Sequence, residues 1–217
     1  NITVAIAKNG SRLTTDETDA ASQYLFSGLS VNSGDTLAVY IDGETQSGVT
    51  VTLASGSAIT DLDIYQDHLI VRSDSGSSAL QNSHLVTVAS EGDSDIDTIY
   101  TTSGSDILVN TGSRLLVWTG STFDLTDSVT TGGFDQFGDT DQGPHVITVH
   151  DSFTVNGGTF TGSSAALDLN GNAAQTAGTF LAADLITLSG AWQRTGGVFV
   201  HNSGSLTLDG DEQSLLG

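Results

Sequence analysis

Gly157-Gly158-Thr159-Phe160 recurs as Gly196-Gly197-Val198-Phe199, 39 residues further on. The match continues downstream. Leu167-Asp168-Leu169-Asn170-Gly171 aligns with Leu206-Thr207-Leu208-Asp209-Gly210, and Gln175 answers Gln213 one residue short of the same interval. Upstream, His68-Leu69-Ile70-Val71 precedes Asp106-Ile107-Leu108-Val109 by 38 residues. An interval of 38–39 is two units of about 19–20 residues, the length of one coil of a parallel β-solenoid. An antiparallel sandwich also places strands at short, even spacing and stays open as an alternative.

Working outward from the repeat, the chain is a succession of short runs of β-branched and aliphatic residues bounded by Gly, Ser, Asn or Asp. Ile2–Ile6, Thr36–Ile41, Val49–Leu53, His68–Val71, His84–Val88, Asp97–Tyr100, Asp106–Val109 and Arg114–Trp118 read as strands, as do later runs through Ser205–Leu208. Asp42-Gly43, Asn156-Gly157 and Asn170-Gly171 are among the turn pairs between them. One segment suits a helix: Thr15 as cap, Asp16 and Glu17 in the first turn, Gly28 as stop. An irregular or strand-bearing cap is its alternative. No other stretch has helical periodicity. These readings predict an all-β, elongated parallel β-solenoid over residues 34–217 and an N-terminal strand and cap region over 1–33.

Composition narrows the function. The 217 residues hold 26 acidic and 5 basic side chains, for a net charge of −21, and no Cys or Met. Lys8, Arg12, Arg72, Arg114 and Arg194 form no basic patch, which argues against nucleic acid and anionic membrane as partners. No apolar run approaches the ~18 residues of a membrane span. Without Cys there is no disulfide, thiolate metal site or thiol nucleophile. A chain that begins at Asn1 without Met is expected to have lost a leader or to be a segment of a longer one. Acidity carried by small polar residues points to an extracellular or cell-surface setting.

Two resemblances follow from these residues. Gly48–Ala58 and Leu115–Phe123 resemble the degenerate repeats of autotransporter adhesin passengers, and the Gly-Gly-Thr-Phe and Leu-x-Leu-x-Gly units resemble repeats of giant bacterial surface proteins. The resemblance implies a right-handed β-helix, secreted, non-catalytic and adhesive or self-associating, with surface glycans among its candidate partners. Separately, Thr101-Thr102-Ser103-Gly104-Ser105-Asp106-Ile107-Leu108 is similar to the calcium-binding nonapeptide of RTX proteins. That similarity implies a calcium role for Asp106, with Asp97 in the same phase.

Calcium takes hard oxygen ligands, and the acids cluster. Glu91, Asp93, Asp95 and Asp97 lie within seven residues. On a strand, Asp93, Asp95 and Asp97 would share one face and repel unless a cation joined them. Asp135, Asp139 and Asp141 with Gly143 have the D-x-D-x-G start of a calcium loop, and Asp61, Asp63 and Asp67 form a third group. The metal candidates are therefore Asp93, Asp95, Asp97, Asp106, Asp139 and Asp141, each also readable as a solvated acid. No catalytic residue is assigned, since no G-x-S-x-G elbow or phosphate-binding loop occurs. A glycan-cleaving or glycan-binding β-helix stands as the alternative. Trp118 and Trp192 could stack on sugar rings, although packing on the core is the commoner use of such a residue. The chain opens on the apolar run Ile2, Val4, Ile6 and closes on Leu215-Leu216, with no Lys or Pro to block either edge. Both ends are expected to join neighbours, as copies in a filament or as further coils of a longer chain.

Overall fold

The computed structural model describes residues 1–76, 78–211 and 213–217. Its strands stack in parallel into a β-solenoid of about eight turns. The 24 strands among the described residues form three sheets of eleven, six and seven. One strand of each sheet makes a coil. Register partners along the inner face of the largest sheet run Leu115, Phe134, Phe153, Ala173, Trp192, at steps of 19, 19, 20 and 19 residues. The six-stranded sheet contributes Phe123, Thr140, Phe160, Phe180 and Phe199. The seven-stranded sheet contributes Val129, Ile147, Leu167, Ile186 and Leu206. Alternation along each three- or four-residue strand sends one or two side chains inward. The interior is therefore a few columns of stacked Phe, Leu, Ile and Val. Phe160 and Phe180 lie 5.1 Å apart by ring centroid, and Phe153 lies 5.5 and 5.9 Å from them.

The predicted 39-residue interval is two real coils. Phe160 and Phe199 stand in one column with Phe180 between them. The interval from His68 to Asp106 is not. His68–Ser73 stacks on Arg114–Val117, while Asp106–Val109 belongs to another sheet.

Corners need small residues and internal polar partners. A Cβ on Gly171 would stand 1.3 Å from the Asp151 carbonyl oxygen, so the chain crosses there by direct backbone contact. Corner carbonyls that fall outside the ladders are met by buried amides. Gln142 Nε2 donates to the His145 and Ala166 carbonyls, at 3.0 and 2.9 Å, and its Oε1 accepts from Ser163 N. Asn82 does the same between the Thr126 amide and the Asp127 carbonyl. A buried amide side chain offers both donor and acceptor to such groups.

The N-terminal end is built differently. β1 (Thr3–Lys8) lies between β2 (Ser11–Glu17) and β3 (Ser33–Ile41), antiparallel to both. β3 pairs antiparallel with β4 (Val49–Ser55), and parallel stacking begins only between β4 and β5 (His68–Ser73). The cap thus reaches past the expected boundary at residue 33. Residues 15–28 form no helix. β2 runs to Glu17, and an irregular segment follows with Ser22 and Gly28 at positive φ. Its Tyr24, Phe26 and Leu29 pack on Val4, Ile6 and Val39.

Two helices appear where strands were expected. α1 (Asn82–Ala89) replaces the His84–Val88 strand, and α2 (Ser94–Ile99) takes most of the Asp97–Tyr100 strand. Leu85 and Val88, then Ile96 and Ile99, are three apart, face inward and are buried in the main core. The Gln81 amide donates to His84 Nδ1 at 2.9 Å, which secures the first turn of α1. Thr101–Leu108 forms an antiparallel hairpin, Tyr100–Ser103 against Asp106–Val109, turned at Gly104.

Candidate functional site

The two ends of the solenoid differ. At the C-terminal end the strands Val198–Val200, Ser205–Leu208 and Leu215–Leu216 are each the last in their sheet. Their outer backbone edges have no ladder partner among the described residues. Val198 is 54% exposed and Leu216 57%, and Phe199, Leu206 and Leu215 are exposed as well. Trp192, 5.5 Å from Phe180 and 5.8 Å from Phe199, ends the aromatic column. Phe199, Leu206, Leu215, Leu216 and Trp192 line an apolar concavity of about 310 Å³, with Arg194 and His201 on its border. The predicted assembly residues Leu215 and Leu216 lie here.

Ile2, Val4 and Ile6 do not form a matching open edge. Val4 and Ile6 are 2% and 4% exposed, and β1 has a strand on each side. Ile2 is tied down by its N–H, which donates to Thr18 Oγ1 at 2.9 Å. The outer edge at this end belongs to β2, a polar strand carrying Arg12, Asp16 and Glu17. Adjacent apolar runs at a terminus say nothing about which strand will lie outermost, so the sequence could not separate β1 from β2.

The predicted metal ligands fall into separate places. Asp93 caps α2, its Oδ1 accepting from Asp95 N at 2.9 Å. Its Oδ2 accepts from Tyr40 Oη at 3.0 Å and Arg12 Nη1 at 3.2 Å. Asp95 Oδ2 accepts from Gly43 N at 2.8 Å. Asp97 is exposed on the helix, so the three acids do not share a strand face. The third acid brought to Asp93 and Asp95 is instead Asp42, the three carboxylates lying within 4.8 Å of one another. Arg12 pairs with both Asp42 and Asp93 and supplies the positive charge there. Its hydrogen bond to Asp42 raises its own pKa. Glu91 accepts from Tyr40 Oη, and burial followed by the charge of Asp93 raises the Glu91 pKa. The sequence showed Asp42-Gly43 only as a turn. Its approach to Asp93 depends on β3 passing beside α2.

Asp106 accepts from Ser128 N at 3.2 Å, Asp139 from Thr159 N at 2.7 Å and Asp141 from Gly143 N at 3.1 Å. Each carboxylate thus anchors a neighbouring coil or turn. Asp141 stands in register over Asp124, and Asp139 over Thr122. Asp135, on the outer face of the largest sheet, receives Arg114 Nε and Nη2 at 2.5 and 2.8 Å and Thr154 Oγ1 at 2.5 Å. Burial opposes ionisation of Asp135, but the bonds from Arg114 and Thr154 outweigh it and its pKa is lowered.

The tryptophans differ in setting. Trp192 completes the internal aromatic column, whereas Trp118 lies outside the core, half-buried, 5.9 Å from Tyr65. No family model, curated protein or solved structure matches this chain.

Proposed function

We propose that this chain is a non-catalytic structural segment of an extracellular or cell-surface protein, and that it takes a further parallel β-coil on its C-terminal end. The observation that carries the reading is the contrast between the ends. One is closed by antiparallel strands and two helices, and the other leaves the core columns uncovered beside unpaired strand edges. Each internal coil boundary pairs strand with strand and stacks inward side chains, mostly Phe, Leu, Ile and Val, on their counterparts. A coil with apolar residues at the inward positions would continue it. Full burial of a Val, Leu or Phe contributes about 1.5–3 kcal/mol, and Val198, Phe199, Leu206, Leu215 and Leu216, each roughly half exposed, would gain part of that on coverage. The small-residue, acidic composition supports the extracellular setting.

In purified material, the nearest available coil is a second copy. A closed N-terminal end favours pairs joined tail to tail over long filaments; the two-fold relation sets the strands at that joint antiparallel, so the pair stands in for a parallel coil only in covering the exposed apolar columns. Sedimentation velocity tests this. The chain is expected to dimerise with concentration, and Leu206→Asp with Leu216→Asp to hold it monomeric while circular dichroism shows it still folded. A wild-type chain that stays monomeric throughout the micromolar range would count against the reading.

A further inference from the structure

A second apolar feature lies on the outer face of the largest sheet, away from the open end. Trp118 follows the strand Arg114–Val117, and Phe137 follows Gly133–Gln136. The register that sets Val117 beside Gln136 therefore carries Trp118 and Phe137 to the same corner of successive coils. Tyr65 reaches them from the segment between β4 and β5, its ring 5.9 Å from Trp118 and inclined at 56°. Leu116 forms the floor and Thr119 part of the rim of a groove of about 160 Å³. Tyr65 is 41% exposed and Phe137 40%.

The aromatic wall is held in place. Arg72 Nη2 donates to the Thr60 carbonyl at 3.0 Å, Thr50 Oγ1 donates to the Asp63 carbonyl at 2.6 Å, and Tyr24 Oη donates to the Leu62 carbonyl. Leu62 and Ile64 pack on β1 and β3. After Tyr65, Asp67 N donates to the Ser47 carbonyl at 2.7 Å, so the segment is fixed on both sides of Tyr65 and gives up little freedom when a ligand arrives.

Beyond Phe137 the corner turns polar. Asn156 and Thr176 occupy the same position on the next two coils, joined by Thr176 Oγ1 to Asn156 Oδ1 at 2.8 Å. Asn156 Nδ2 donates to Thr154 Oγ1 at 3.0 Å. The row therefore reads aromatic, aromatic, amide, hydroxyl.

Charge selects the class of ligand. The chain carries −21, yet Tyr65, Leu116, Trp118, Thr119 and Phe137 are all uncharged. The carboxylate beside them, Asp135, is neutralised by Arg114. A neutral groove on so anionic a molecule complements a neutral ligand, because a cation would prefer the acidic surfaces and an anion would be repelled. Size narrows the choice. The groove is smaller than the ~300–1,000 Å³ of ordinary small-molecule pockets, so it holds one ring rather than a folded peptide. A ring with an apolar C–H face for the aromatics and hydroxyls at its edge is a pyranose.

We propose that Tyr65, Trp118 and Phe137 form a stacking site for a pyranose ring of a neutral glycan, with Asn156 and Thr176 as hydrogen-bonding positions for the adjoining sugar.

Isothermal titration of the full chain with neutral β-1,4-linked glucose and N-acetylglucosamine oligosaccharides, neutral α-linked glucose oligosaccharides and an anionic oligouronide tests it. At least one neutral series is expected to bind, with the oligouronide weaker. Phe137→Ala and Tyr65→Ala, exposed positions expected to keep the unfolding temperature, should each weaken binding on the order of tenfold. Leu216→Asp at the open end should leave it unchanged. Absence of binding by every neutral series at about 10 mM, preference for the oligouronide, or an unaltered affinity in Phe137→Ala would each overturn the proposal.

Discussion

Arg114 grips Asp135 through two parallel bonds, Nε at 2.5 Å and Nη2 at 2.8 Å, from one coil to the next. Such bidentate pairs are the stronger kind of charge-assisted contact. Both side chains keep some contact with water, so the cost of breaking the pair falls below the ~3–5 kcal/mol of a fully buried one. Arg114→Gln is expected to lose about 2 kcal/mol in denaturant unfolding at neutral pH. Because the folded pKa of Asp135 is lowered, its contribution is present above the ordinary carboxylate value and is lost as pH falls below about 4. The deficit of the variant should therefore shrink in acid. An equal deficit at pH 3 and pH 7 would contradict the assignment.

The aromatic column predicts a gradient. Phe180 is fully buried and touches Phe153, Phe160, Trp192 and Phe199. Phe180→Ala should cost about 3–5 kcal/mol, the range for a large side chain removed from a packed core. Phe199→Ala should cost clearly less in the monomer, because Phe199 already meets water. Equal costs would mean that the end coil is covered in solution, which a concentration series would then reveal.

Glu91 carries a raised pKa, so its ionised form is less comfortable folded than unfolded. Its favourable contribution exists below the ordinary value, near pH 4, and is lost as pH rises through the raised one. Glu91→Gln is expected to increase the unfolding temperature slightly at pH 7 while still accepting the Tyr40 hydroxyl. At pH 4 the gain should vanish.

At Asp42 and Asp93 the guanidinium of Arg12 already stands where a cation would be drawn. Adding calcium is expected to leave the unfolding temperature of the wild type unchanged. Arg12→Ala should lower that temperature, and calcium should then restore part of the loss. A clear calcium response in the wild type would instead point to the other carboxylates, Asp106, Asp139 or Asp141.

The coil was legible where residues repeat at the coil period. Gly157-Gly158-Thr159-Phe160 and Gly196-Gly197-Val198-Phe199 gave the interval, and Gly178-Thr179-Phe180 is the member between them, its signal weakened by Ala177. The helices were not legible. α1 is eight residues long and holds Val86, Thr87 and Val88, a β-branched run whose local preference is for strands. α2 did carry a sign: Asp93 before Asp95 and Asp97, with Ile96 and Ile99 three apart, is an N-cap followed by one inward stripe. The candidate site was half visible. Trp118 could be named from sequence, but Tyr65 and Phe137 join it only through coil register and a loop held by Arg72, which no local pattern encodes.

Stacking one coil at a time also makes the molecule a ruler. Trp118 and Phe137 occupy one corner, and Asn156, Thr176 and Thr195 follow at the same corner towards the open end. Each step adds about 4.8 Å, so Thr195 stands about 14 Å beyond Phe137. Duplicating or deleting a whole coil would lengthen or shorten that span by one increment while leaving the aromatic groove and the terminal coil unaltered. A lineage of such chains could therefore adjust how far the aromatic groove is held from the open end by counting coils alone.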